Sequence, residues 1–150
     1  MSDDLSAFLK LLKSHNVDFL IVGSHVLAAY ARPRFTEDLD IWVGRRRENL
    51  HALGQALREF GFAVEDSQML RLESGRHMIR MGHSPNRVDI LNFLGSAESE
   101  MCFETSHKNG IWIELFGQSV PMLTKEDFIA SKRSAGRRKD LRDLEELEEG

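Results

Sequence analysis

Six residues, Asp38-Leu39-Asp40-Ile41-Trp42-Val43, constrain this chain more than any other stretch. Side chains two apart on a β-strand share a face. A strand here therefore sets Asp38 and Asp40 side by side while Leu39 and Ile41 face a core. Two adjacent carboxylates repel each other unless positive charge lies between them. A hard divalent cation that prefers oxygen ligands, Mg²⁺ or Mn²⁺, meets that need.

The surrounding pattern alternates helical and strand spacing. Leu5, Phe8, Leu9, Leu11 and Leu12 recur at helical spacing over 4–14, and Phe19-Leu20-Ile21-Val22 reads as a short buried strand. Gly23-Ser24 breaks it, with Ser24 a good N-cap for a helix through about Tyr30. A helix over 48–60 closes at Gly61. Strand-like stretches follow at about 62–65, 69–73 and 77–81, then Arg87-Val88-Asp89-Ile90-Leu91. Residues 97–103 suit a short helix, and Asn109-Gly110 turns into a strand over Ile111-Trp112-Ile113-Glu114-Leu115. A brief strand around 119–122 precedes a helix capped by Thr124, with Asp127 at the capping-box position, and a last helix spans about 138–148. Such interleaving predicts an α/β (α+β) fold: one domain over 1–150, a mixed β-sheet flanked by helices, its core over about 17–123 and a C-terminal helical segment over about 124–148.

Two further elements gather around the carboxylates. Phe19-Leu20-Ile21-Val22-Gly23-Ser24 carries a buried strand into a small-residue turn at a helix start. A glycine lets a phosphate approach the backbone, and a helix N-terminus offers free N–H groups. Taken alone, Gly-Ser there is more often a cap and a turn. Asp89, between Val88 and Ile90, would alone read as the solvent side of a half-exposed strand. Beside Asp38 and Asp40 it becomes a third carboxylate, suited to a two-metal site that clamps the attacking and leaving oxygens of a displacement. Asp89 would then serve the attacking hydroxyl and help take its proton.

A strand, Gly23-Ser24, then Asp38-x-Asp40 on the next strand and a later lone Asp89 resemble the nucleotidyltransferase superfamily of DNA polymerase β type. Arg34-Phe35-Thr36-Glu37-Asp38 matches an approach found in its small bacterial members. Gly136-Arg137-Arg138-Lys139-Asp140-Leu141-Arg142-Asp143-Leu144 resembles the final helix of the minimal AbiEii-type branch, many of whose members belong to toxin–antitoxin systems. The resemblance runs from about residue 17 to 145. It implies that Gly23 and Ser24 cradle a triphosphate and that Asp38, Asp40 and Asp89 hold Mg²⁺ or Mn²⁺. It also implies that Lys132 or Lys139 neutralises phosphate charge, and that Arg34 contacts phosphate or pairs with Asp140 or Asp143. The implied activity moves a nucleoside monophosphate from a nucleoside triphosphate such as ATP to RNA (a tRNA end in particular), a protein or a small molecule, with release of pyrophosphate. No separate acceptor-binding domain is evident, so a partner chain or a second copy would complete the acceptor site. The alternative is a nucleotide-binding module or antitoxin component with little turnover.

Several of these residues also admit plainer roles. Lys139 and Asp143, four apart, also suit an ordinary helix-surface ion pair, and Arg45-Arg46-Arg47 a solvated face. His25 suits a surface position at a helix start, and Met69, Met78 and Met81 suit core filler. D-x-D also occurs in metal-dependent glycosyltransferases, which would need a larger chain with a nucleotide-sugar domain. The histidines lack zinc spacing, and G-x-S-x-G, Walker A and G-x-G-x-x-G are absent. The formal net charge of −4 argues against coating nucleic acid by bulk charge. An acidic start, the lone Cys102 and no apolar run near the roughly 20 residues of a membrane span predict a cytoplasmic protein away from membranes.

Overall fold

Short apolar runs form the centre of this fold because they are buried on both faces. In the computed structural model, which describes residues 3–31, 38–83 and 86–149, strand β1 (Phe19–Val22) is buried at every position. It pairs antiparallel with β2 (Leu39–Val43) and parallel with β6 (Gln118–Met122). Strand β2 pairs parallel with β4 (Val88–Leu91), which pairs antiparallel with the edge strand β3 (Met78–Met81). Strand β5 (Ile111–Leu115) forms the other edge, beside β6. The six strands run in the order β3-β4-β2-β1-β6-β5, a mixed sheet as the alternation predicted.

Period-two alternation divides this sheet. Leu39 lies opposite Val88 and Ile41 opposite Ile90, and all four are buried. Helices α1 (Asp3–Ser14) and α3 (Arg47–Phe60) pack on each other through the apolar stripe of α1, where Phe8 meets the rings of Phe60 and Phe62 edge-on. Helix α2 (Ser24–Tyr30) lies against β1 and β2 and touches α6 (Lys125–Ala135) and α7 (Arg138–Glu149). Helix α5 (Phe103–Asn109) meets the sheet through Phe103, whose ring packs edge-on against Trp42. No helix among the described residues is long and apolar enough to cross a membrane.

Several local expectations change in the folded chain. Residues 66–74 form α4 (Asp66–Ser74) where strand was expected over 69–73, and 62–65 is irregular rather than strand. A capping box explains the helix: the Glu65 side chain accepts from the backbone at Gln68, and Gln68 accepts from the Glu65 N–H at 2.9 Å. Met69 and Leu72, three apart, then pack on the core. The short helix expected at 97–103 starts instead at Phe103, where the ring is anchored on Trp42. The preceding loop is held by Ser134, which accepts from the Ser96 N–H at 2.9 Å and donates to the Ser99 carbonyl at 2.8 Å. Ser24 is the first helical residue rather than the cap; Gly23 caps α2 at φ 75°, a backbone that serine adopts with strain. Thr124 caps α6 as expected, accepting from the Asp127 N–H at 3.1 Å.

The C-terminal helices are joined by one buried carboxylate. Asp140 is fully buried and accepts from Arg137 through its backbone N–H at 3.1 Å and its guanidinium at 2.7 Å, and from Lys132 at 3.2 Å. Burial alone pushes its pKa up, but the hydrogen bonds from Arg137 and Lys132 outweigh it, so Asp140 lies below the usual carboxylate range. Its contribution to stability is therefore present at neutral pH and is lost as the pH falls through that lowered value. Asp140→Asn is expected to lower the stability at pH 7 by about 3 kcal/mol, because it leaves Lys132 and Arg137 short of a partner. Urea unfolding should show this difference shrinking in acid.

Candidate active site

The parallel register of β2 and β4 sets Asp40 directly beside Asp89, and the β3–β4 hairpin sets Arg80 beside Asp89 from the other side. Asp38 precedes β2 by one residue. Asp40 and Asp89 thus sit side by side on neighbouring strands, and Asp38 lies just before β2.

Each carboxylate has a distinct environment. Asp40 is partly buried and its pKa is pushed up to about 6. Burial is the largest cause, followed by the charge of Asp89, against which Lys139 acts; a hydrogen bond between Asp40 and Asp89 raises it further and Arg87 lowers it. Asp89, 9% exposed at its side chain, is gripped by Arg80: Nε donates to Oδ1 at 2.9 Å and Nη2 to Oδ2 at 3.3 Å. Arg87 reaches Asp38 through Nη2 at 2.9 Å and approaches Asp89 at 3.9 Å through its buried Nε, which has no hydrogen-bond partner.

Gly23 is constrained twice at this point. Its φ of 75° suits glycine, and a methyl group in place of its hydrogen would overlap the Asp40 carboxylate. His25 supports the same strand entry. It is buried rather than on the surface where sequence reading put it, and its Nε2 donates to the Asp38 carbonyl at 3.0 Å. Burial lowers its pKa despite that hydrogen bond, so it is neutral at pH 7.

Of these groups Gly23, Asp40 and Arg80 line a cavity of about 620 Å³, and Asp89 lies behind Arg80 rather than on its wall. Gly23, Ser24 and Asp40 form one wall, Arg76, Met78 and Arg80 another, and α6 and α7 contribute Phe128, Lys132, Arg137 and Lys139. Lys132 and Lys139 do not have equivalent roles. Lys132 lies 3.2 Å from both Asp140 and Asp143 and is 14% exposed, so its charge is already matched. Asp143 turns to Lys132, and Lys139 has no ion pair among the described residues; its charge acts on Asp40. Arg34 lies outside the described residues, and Asp140, one of its two expected partners, is held by Lys132 and Arg137. The basic run reads as a solvated face: Arg45 pairs with Glu100 at 2.6 Å and Arg47 with Glu73 at 2.9 Å.

Sequence reading missed Arg80 and Arg87 as partners of the carboxylates. Arg87 had a usable signal, since it stands two residues before Asp89 and shares its face. Arg80 had none, because its place depends on the hairpin register.

The donor chemistry fits a divalent cation. Asp40 and Asp89 stand side by side across the parallel strands, the place where a cation would relieve their repulsion. As they stand, no three carboxylate, histidine or cysteine side chains among the described residues converge closely enough to hold an ion. Asp89 is paired with Arg80 and Asp38 with Arg87.

The family model described as "Nucleotidyl transferase of unknown function (DUF2204)" matches residues 1–150. Among curated proteins no match is found. Solved structures share the fold. A Thermotoga maritima protein described as a nucleotidyltransferase superposes with a TM-score of 0.63 at 20% identity, over 97% of this chain and 91% of that one. The lincosamide antibiotic adenylyltransferase LnuA, bound to lincomycin, gives 0.61 at 16% identity over 99% and 96%. The antibiotic-resistance factor ANT(2'')-Ia gives 0.57 at 14% identity over 96% and 80%.

The raised pKa of Asp40 makes a prediction independent of any ligand. Relative to the unfolded chain, ionising Asp40 is penalised, and the penalty is absent in acid and complete above about pH 6. In the presence of a chelator, Asp40→Asn is expected to raise stability at pH 7.5 by about 1–3 kcal/mol. Urea unfolding across pH should show the gain vanishing as the pH falls below the usual carboxylate range.

Proposed function

The chain belongs to this nucleotidyl transferase family, and we propose that it moves a nucleoside monophosphate from a nucleoside triphosphate to an acceptor, releasing pyrophosphate. The acceptor oxygen bonds to the α-phosphorus as the bond from that phosphorus to the pyrophosphate oxygen breaks. The observation that carries this reading is the Asp40–Asp89 pair, side by side across parallel strands, with Asp40 on the wall of a cavity large enough for a nucleotide.

Asp38, Asp40 and Asp89 would hold Mg²⁺ or Mn²⁺, which when bound neutralises phosphate charge and lowers the pKa of the attacking hydroxyl. Asp89 accepts the proton of that hydroxyl. Gly23, without a side chain, lets the triphosphate lie against the backbone, and Ser24 offers its hydroxyl beside it. Lys139 supplies the phosphate cation in preference to Lys132, whose ammonium already serves Asp140 and Asp143. Lys132 instead fixes α7, and with it Lys139. Arg34 keeps its proposed phosphate contact.

ATP is the first donor to test, since the adenylyltransferase LnuA shares the fold. The antibiotic acceptors of such neighbours make a small molecule one candidate class. The Gly136–Leu144 segment, similar to the AbiEii-type branch, makes RNA or a protein in a cytoplasmic toxin–antitoxin pair another. A partner chain or second copy would complete the acceptor site in that setting.

The test incubates the protein with each α-labelled nucleoside triphosphate, Mg²⁺ or Mn²⁺, and a cell extract divided into RNA, protein and small-molecule fractions. Label is expected in one fraction. Asp40→Asn or Asp89→Asn should reduce it by about 100-fold or more, and Lys139→Ala by about 10-fold or more. Label that survives Asp40→Asn would refute the site assignment. Metal-dependent nucleotide binding without label in any fraction would favour a nucleotide-binding or antitoxin module.

A further inference from the structure

Arg80 occupies the carboxylate that a cation at this site would need. Its guanidinium covers both oxygens of Asp89, at 2.9 and 3.3 Å, in the two-pronged geometry that suits a carboxylate. The two partners differ in their freedom to move. Asp89 lies on β4, between β2 and β3, and is nearly buried. Arg80 lies on the edge strand β3, with its side chain 53% exposed. The other cations nearby have different attachments: Arg87 bonds Asp38 and only approaches Asp89, Lys139 acts on Asp40, and Arg76 lies over the Phe93 ring at 4.1 Å with Glu100 at 3.6 Å.

We propose that Arg80 is a latch on Asp89, an internal cation that holds the carboxylate in the empty site and must swing out before a metal ion can use it. This rests on the reading of Asp40 and Asp89 as metal ligands. Arg80 is a positioning residue in this scheme, since it acts through Asp89. The affinity of the empty site for metal is then set by competition, and the nucleotide-free protein stays poor in metal. Once displaced, the guanidinium stands on the cavity wall beside Met78 and Arg76, where an anionic group of a substrate can receive it. Metal loading and anionic substrate then favour each other, because each removes the competitor of the other.

The test is Mn²⁺ binding to the full, nucleotide-free chain, followed by the paramagnetic signal of the free ion, with circular dichroism to confirm folding. Arg80→Gln is expected to tighten Mn²⁺ binding about tenfold, and Arg80→Lys by less, since an ammonium cannot span both oxygens. The gain should disappear in the Arg80→Gln/Asp89→Asn double variant. Arg76→Gln, which removes equal charge away from Asp89, should give a clearly smaller gain. Loss of a merely structural contact would weaken binding, so the direction of change separates the two roles. Unchanged or weaker binding in folded Arg80→Gln, or equal gains from Arg80→Gln and Arg76→Gln, would overturn the latch. If Asp40→Asn weakens Mn²⁺ binding in such a case, the metal-site reading stands and the latch alone falls. If Asp40→Asn leaves Mn²⁺ binding unchanged, both fall.

Discussion

Two carboxylates on adjacent parallel strands, Asp40 and Asp89, repel each other at close range, and the rest of the site is arranged around that repulsion. Burial makes it worse, since neither side chain has free access to water. The protein answers with a raised pKa at Asp40, a guanidinium on Asp89 and the charge of Lys139 acting on Asp40. Gly23 lets the Asp40 carboxylate stand against the β1–α2 turn, where any side chain would displace it. This is local electrostatic strain held by a well-packed sheet, a common property of sites built to meet charge that arrives with a substrate.

The C-terminal helices give that site its opposite wall. Asp140, fully buried, ties Lys132 of α6 to the start of α7 through Arg137. Its function is to hold α7 in place, and α7 carries Lys139 to the cavity. The acidic motif in this segment is therefore structural at Asp140 and Asp143, while the neighbouring Lys139 shares the cavity with Asp40 and acts on it. The chain belongs to a nucleotidyl transferase family, and solved structures share its overall fold at 14–20% identity.

The strands and their buried faces were legible because period-two alternation and short apolar runs are local signals. Asp40 and Asp89 were legible for the same reason, since a charge inside an apolar strand stands out, and Asp38 followed from the two-residue spacing to Asp40. Residues 69–73 were misread because a two-sided run of Met69, Leu70 and Leu72 suits strand or helix, and the Glu65–Gln68 cap that decides it is a side-chain contact. Ser24 lost the capping position to Gly23 because the close approach of Asp40 favours a residue with no side chain there. His25 was misplaced because helix-start position says nothing about the packing of the loop before β2.

Sequence alone determined which residues carry charge, which strand faces they occupy and in what order the turn, the paired aspartates and the lone aspartate arrive. These depend on backbone geometry within a few residues. Only the tertiary structure decided which charge meets which: Arg80 with Asp89, Arg87 with Asp38, Lys132 with Asp140 and Asp143, and Lys139 facing Asp40. Those pairings are set by strand register and by the docking of α6 and α7. Both come from burying the whole core at once, and no local stretch of sequence encodes them.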